Sequence, residues 1–341
     1  MHRSISPALC FSLLVITASA QAQWFNSPET KKLYAQAMQE KEVVLWGTAA
    51  REVDWVPKAF NKMFPGIEVK VNGENDITTK AIAEARAGRY SVDAMVTSLS
   101  LVLRLEERKM LASEGWASFG IAHNNIVLGG RMAYTHNIVY TVAYNKDKVK
   151  PEDVPTRWAD LLDPKYKGKM VGNQFLLPRM IGILAFPWGE EKALQFARDF
   201  RAKTDIMLTS APREPLLQSG ERLYAVAEID SFPKLWARDG LPISAVIPEP
   251  ILTAQFGVVV MDKAPHKAAA LLLAGWLASA EGKREREKLA FQIDYLPTSE
   301  NPVAKKMHSS GAQVVLDTPE LVAKRAQFID KIAPIVAGQG R

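Results

Sequence analysis

Short apolar runs alternate with amphipathic stretches along most of this chain, the spacing of a fold in which strands and helices take turns. Val43, Val44, Leu45 and Trp46 form an unbroken apolar run that ends at Gly47-Thr48, which predicts a buried parallel strand and the loop beyond it. A polar helical stretch over 28–39 precedes it. Asp54 is the expected cap of a helix in which Val56, Phe60, Met63 and Phe64 share one face; Pro57 is tolerated in its first turn, and Pro65-Gly66 stops it. Ile67, Val69 and Val71 then alternate as a strand, followed by a loop over 72–76 and a helix over 77–87 closed by Gly88. A strand at 94–96 runs through Thr97 and Ser98 into a helix ending near Lys109. Successive strand–helix units predict an α/β fold with a parallel sheet covered on both faces.

After Asn137 the pattern changes. A strand over 139–143 leads to Tyr144, where a crossover to a second lobe is expected, and a short helix follows around 158–162. Strands over 169–171, 205–208 and 224–227 alternate with helices over 190–200 and 215–219, the second of these ended by Gly220. Pro248-Glu249-Pro250 breaks the pattern before a strand over 255–260, read as the return to the first lobe, and helices over 267–279, 282–289 and 319–332 finish the chain. The expected division is a leader over 1–20, lobe one over 21–143, lobe two over 144–250, and the return of lobe one with the C-terminal helices over 251–341.

Composition supports an ordinary folded protein: 341 residues, 48% of them hydrophobic and 23% charged, exclude disordered and collagen-like classes. A formal charge of +6 comes from basic residues scattered along the chain, whereas phosphate-backbone binding calls for clustered ones, so no nucleic-acid partner is expected. The N-terminus changes the picture most. His2 and Arg3 precede an apolar run over 8–18 and the small-x-small site Ala18-Ser19-Ala20, the pattern of a secretory signal peptide. Cleavage there removes Cys10, the single cysteine, and with it disulfides, thiol nucleophiles and cysteine metal sites. A periplasmic, monomeric protein is expected.

Three stretches carry a family resemblance: Tyr144-Asn145-Lys146-Asp147, the run 158–169 (WADLLDPKYKGK), and Ala264-Pro265-His266-Lys267 leading to Trp276-Leu277-Ala278-Ser279-Ala280-Glu281-Gly282. In this order, behind a leader, they resemble the type II periplasmic solute-binding proteins of ABC importers, in the branch of the ferric-iron, phosphonate, sugar-phosphate, thiamine and polyamine binders. The resemblance spans about 40–300. It implies two α/β lobes joined by a hinge, a small-molecule ligand held between them, and an ABC permease in the inner membrane as partner.

In open α/β sheets ligands sit beyond the carboxyl ends of strands. Those ends hold Thr48 with Arg51, Glu74 with Asn75, and Thr97-Ser98 in lobe one; in lobe two they hold Asn173-Gln174, Ser210 with Arg213, and Glu228, Asp230 and Ser231. Arg51 and Arg213 suit bidentate contact with a carboxylate or phosphate, which favours an anion, or a zwitterion whose amine meets Glu228 or Asp230. The expected bridge runs from Arg51 and Thr97-Ser98 to Arg213, Asn173 and Ser210, with Phe175 or Trp188 as a floor.

The iron binders of the family carry paired tyrosines where this chain has Ser231-Phe232, so tyrosinate ligation is not expected; direct ferric or iron-chelate binding stays an alternative. His123, His136, His266 and His308 show no metal-ligand spacing, and neither metal nor cofactor is expected. No G-x-S-x-G, H-E-x-x-H, P-loop or G-x-G-x-x-G occurs, and no enzyme activity is expected. A ligand-presenting partner of a chemoreceptor or sensor kinase is the remaining alternative.

Overall fold

The computed structural model describes residues 24–74, 76–113 and 116–338. The expected leader, Cys10 and the site at 18–20 lie outside the described residues, as does Asn75. The first half of the chain forms α1 (Pro28–Glu40), β1 (Glu42–Gly47), α2 (Ala50–Val53), α3 (Val56–Phe60), β2 (Glu68–Gly73), α4 (Ile77–Arg86), β3 (Ala94–Ser98), α5 (Leu99–Glu106), β4 (Ile126–Val127) and β5 (Met132–Asn145). Next come β6 (Met170–Asn173), α6 (Leu176–Trp188), α7 (Glu190–Thr204), β7 (Met207–Thr209), α8 (Glu214–Ser219), β8 (Tyr224–Ile229), α9 (Ser231–Arg238) and β9 (Ile243–Val246). The chain closes with β10 (Ile251–Val260), α10 (Lys267–Ala278), α11 (Ala280–Ala290), α12 (Pro302–Ser309), β11 (Val314–Val315) and α13 (Pro319–Val336).

The main sheet path runs β2-β1-β3-β10-β5-β8-β6-β7. β1 pairs in parallel with β2 and β3, and β6 in parallel with β7 and β8, so each lobe has its own parallel unit. Two long antiparallel strands, β5 and β10, join them. Residues 133–139 of β5 pair with β10, while residues 140–144 pair with β8, so the strand changes partners between Val139 and Tyr140. A strand was expected only over 139–143; its first half went unread because Thr135, His136 and Asn137 are polar yet buried. They are tolerated there because they are bonded: Thr135 Oγ1 lies 3.0 Å from His136 Nδ1, and the Asn137 carboxamide donates to Gln255.

Capping follows the sequence at several ends. Ser27 accepts from Thr30 N at 3.1 Å to open α1, and Thr318 accepts from Leu321 N at 3.3 Å to open α13, each just before a proline at the first helical position. Asp54 is the C-terminal cap of α2 and not the N-cap of the next helix. Its backbone is already helical (φ −60°, ψ −26°) at the end of α2, and an N-cap residue needs extended geometry. The sequence reading also passed over α6, whose Leu177, Met180, Ile181, Ile183 and Leu184 are all buried: a helix apolar on most sides gives no periodic signal. Phe328, Ile332 and Val336 of α13 pack in the lobe-two core, whereas Val322 at its start packs in a lobe-one cluster, so this helix spans both lobes.

Candidate functional site

Between the lobes lies a cleft of about 470 Å³. Its floor comes from the joining strands and their neighbour: Ile138 and Tyr140 of β5, Ala254 and Phe256 of β10, and Ile229 of β8. Lobe one contributes Thr48, Glu52, Asp76, Ser98, Ser100 and Arg104; lobe two contributes Asn173, Phe175, Arg179, Ser210 and Phe232; α13 reaches in with Arg325. The floor is therefore apolar, the lobe-one wall carries mainly polar groups, and the lobe-two wall mixes Asn173, Arg179 and Ser210 with the rings of Phe175 and Phe232, a build that suits a small molecule.

Local structure explains how these groups are held. The end of β2 runs directly under α2, where a Cβ on Gly73 would overlap the Ala50 backbone. That close approach fixes the turn carrying Thr48 and Glu52. The Glu52 carboxylate accepts from the Thr48 amide at 3.0 Å and from its hydroxyl at 2.6 Å. Burial pushes the Glu52 carboxyl up; the Thr48 hydrogen bond and the buried Arg286 guanidinium behind it oppose that shift. Burial brings Arg286 down to about 10, so it stays cationic at neutral pH. Ser98, before α5, caps no backbone group and instead lies 3.0 Å from Ser100 Oγ, so the first-turn amides of α5 receive no side-chain cap from it. Asn173 Oδ1 accepts from the amides of Phe175 and Leu176 and so holds the turn into α6, whose first turn ends at Arg179 on the cleft wall.

Of the residues singled out from sequence, Thr48, Ser98, Asn173 and Ser210 line the cleft. Arg51 is not among the cleft-lining residues; its guanidinium sits over the ring of Phe232 at 4.0 Å, a contact from lobe one to lobe two. Arg213 is placed differently from the expectation. It is buried and grips Glu228 through two nitrogens while Nη1 donates to Ala211 O at 3.0 Å, so it is a partner to the protein rather than an open anion site. Ala227 precedes this pair with φ 61°, at a register slip between β5 and β8, and this bulge re-aims Glu228. Asp230 is likewise occupied: it accepts from Val139 N, from Lys234 Nζ at 3.0 Å and from Tyr295 Oη at 2.9 Å, tying both lobes at the partner change of β5.

Glu74 pairs with Lys80 at 2.7 Å, and neither it nor Gln174 is among the cleft-lining residues. Thr97 and Ser231 are buried off the cleft, each hydroxyl without a partner among the described residues. Trp188 packs edge-on against Phe196 in the lobe-two core, whereas Phe175 is 56% exposed at the cleft mouth. The sequence reading missed Glu52, Arg104, Arg179 and Arg325. Arg104 carries a legible signal, one turn beyond Ser100 on a helix that starts at a strand end; Arg179 and Arg325 carry none, the first lying on the largely apolar α6 and the second in the tail beyond the stretch of family resemblance.

A family model described as bacterial extracellular solute-binding protein matches residues 55–312. No curated protein sequence matches the chain. Among solved structures, iron-bound HitA from Pseudomonas aeruginosa is similar over 86% of this chain and 99% of its own, with a TM-score of 0.71 at 16% identity. The substrate-binding protein of an ABC transporter from Agrobacterium tumefaciens is similar over 89% of this chain and 97% of its own (TM-score 0.71, 14% identity). AfuA from Actinobacillus pleuropneumoniae, with fructose-6-phosphate bound, is similar over 87% and 98% (TM-score 0.69, 19% identity). At these identities the likeness is one of fold: two α/β lobes joined by a hinge.

Proposed function

The chain belongs to the bacterial extracellular solute-binding protein family, and on that premise we propose that it captures a small organic anion in the cleft between its lobes. The protein is the solute-binding component of an ABC import system, which takes up a small ligand and hands it to a membrane permease. The single observation that carries the reading is the cleft itself, floored by the two strands that join the lobes and walled by both. A ligand touching Ser98 and Arg104 on one side and Asn173 and Arg179 on the other stabilises the closed arrangement by its greater affinity for it. Export to the periplasm by cleavage near Gln21, a division with lobe two over 144–250, and action as a monomer without nucleic acid complete the proposal.

The cleft argues for an organic ligand over a bare metal ion. The HitA structure holds iron, but here Ser231 and Phe232 stand where the family's iron binders carry tyrosines, and the described residues contain no cluster of three or more His, Cys, Asp or Glu side chains suited to a metal. Native mass spectrometry of protein purified from the periplasm checks the reading: a co-purified organic solute, lost on unfolding, is expected, and a mature N-terminus at or near Gln21 should appear in the same spectrum. A membrane-bound product with Met1 intact would overturn the export reading.

A further inference from the structure

The charges around the cleft do not cancel, and the remainder specifies the ligand further; this step rests on the solute-capture reading above. Each carboxylate buried at or behind the cleft already has a cation. Glu228 is paired with Arg213, Asp317 with Arg325, Asp230 with Lys234, and Glu52 has the buried Arg286 guanidinium behind it. Those pairs are settled within the protein. What is left over is arginine. Arg179 makes no hydrogen bond or ion pair among the described residues. Arg104 donates only to Thr79 Oγ1 at 3.3 Å; Arg51, by contrast, lies on the Phe232 ring and acts electrostatically on Glu228, so it is not counted here. Against Arg104 and Arg179 stands one cleft-lining acid without an ion pair, Asp76, which caps nothing with its side chain; the other, Glu52, has Arg286.

The surplus is split between the lobes. Arg104 belongs to lobe one, where it follows the uncapped start of α5; no acidic residue occupies the first turn of that helix to offset its positive end. Arg179 belongs to lobe two, where it and Arg325 bear electrostatically on the Tyr140 phenol of the floor. A ligand with one anionic group satisfies one wall and leaves the other wall's cation desolvated on closure. A ligand with an anionic group at each end satisfies both. A cavity of about 470 Å³ falls in the range of about 300–1,000 Å³ that suits organic ligands and far exceeds an inorganic anion.

We propose that the solute is a two-ended organic dianion, a short α,ω-dicarboxylate in its simplest form, with one carboxylate on Arg104 and the α5 start in lobe one and the other on Arg179 in lobe two. The apolar strip of Ile138, Ala254 and Phe256 then lies under the carbon chain. Charge-assisted contacts at both ends make closure electrostatically driven, and therefore sensitive to salt.

Isothermal titration calorimetry on the mature protein, stripped of co-purified solute by unfolding and refolding, tests this with five probes: glutarate, adipate, hexanoate, 4-aminobutyrate and glucose 6-phosphate. Binding of at least one dicarboxylate is expected, at least tenfold tighter than hexanoate and 4-aminobutyrate and weakening as salt is raised. Arg104→Gln and Arg179→Gln should each weaken that dicarboxylate at least tenfold, and Arg179→Lys less than Arg179→Gln. Both side chains are exposed, so unchanged melting of the unliganded variants shows that the loss is one of binding. Equal or tighter binding of hexanoate, 4-aminobutyrate or glucose 6-phosphate overturns the two-ended dianion and leaves solute capture standing. So does dicarboxylate binding that neither variant weakens. A protein that binds no probe but co-purifies with a solute of another charge class also overturns the dianion alone. One that binds no probe and carries no solute from the periplasm overturns solute capture itself.

Discussion

Replacing Arg213 by Met probes whether this arginine serves the fold or the ligand. Glu228 is fully buried and Arg213 nearly so, at 5% exposure, and the guanidinium holds the carboxylate through Nε and through Nη2 at 3.2 Å from Oε2. Removing the cation strands a carboxylate inside lobe two, for which the cost is about 3–5 kcal/mol. The double variant Arg213→Met with Glu228→Leu removes both charges and should recover most of that loss, because an apolar pair of similar volume avoids the desolvation cost. The pH dependence has a definite sign. Burial raises the Glu228 carboxyl, and its two largest opposing influences both come from Arg213. Without them the folded-state value rises further. A carboxyl raised in the folded state contributes stability that is complete below its unfolded value, about 4.3, and is lost as pH climbs through the folded value. The stability deficit of Arg213→Met relative to the parent should therefore be small near pH 4.5 and grow toward about pH 7.5. Urea unfolding of unliganded protein at both pH values measures it. A deficit at neutral pH below about 1 kcal/mol, the worth of an exposed pair, would refute the reasoning, as would a deficit that the double variant does not relieve.

Tyr295→Phe removes the hydroxyl that donates to the Asp230 carboxylate at 2.9 Å across the joining strands; a loss of about 1.5–3 kcal/mol is expected in urea unfolding, together with a change in the unliganded radius of gyration by small-angle scattering. Gly182→Ala places a Cβ 2.9 Å from Ile329 Cγ1 and 3.3 Å from Arg325 Cγ, so α6 and α13 must separate; a cost of about 1–3 kcal/mol is expected by thermal or urea unfolding. Ferric citrate added to the purified protein should give no phenolate-to-iron charge-transfer band, since positions 231 and 232 are Ser and Phe; appearance of that band in the visible spectrum would contradict the ligand assignment.

What the sequence determined by itself was the part of the fold with a local signature. Apolar runs ending in small polar residues marked β1 and β3, Gly220 marked the end of α8, where it takes φ 81°, and the strand ends pointed to Thr48, Ser98, Asn173 and Ser210. Each depends on residues a few positions apart. The tertiary structure decided matters that depend on partners far along the chain. Glu228 lies fifteen residues from Arg213 in sequence and Tyr295 sixty-five from Asp230, and neither distance leaves a periodic trace. An arginine beyond a strand end reads the same whether it faces the cleft or a buried acid, and only packing shows that Arg213 faces Glu228. The same holds for α6, hidden because it is apolar on most faces, and for α13, whose apolar positions predict a helix but not that it crosses from one lobe to the other.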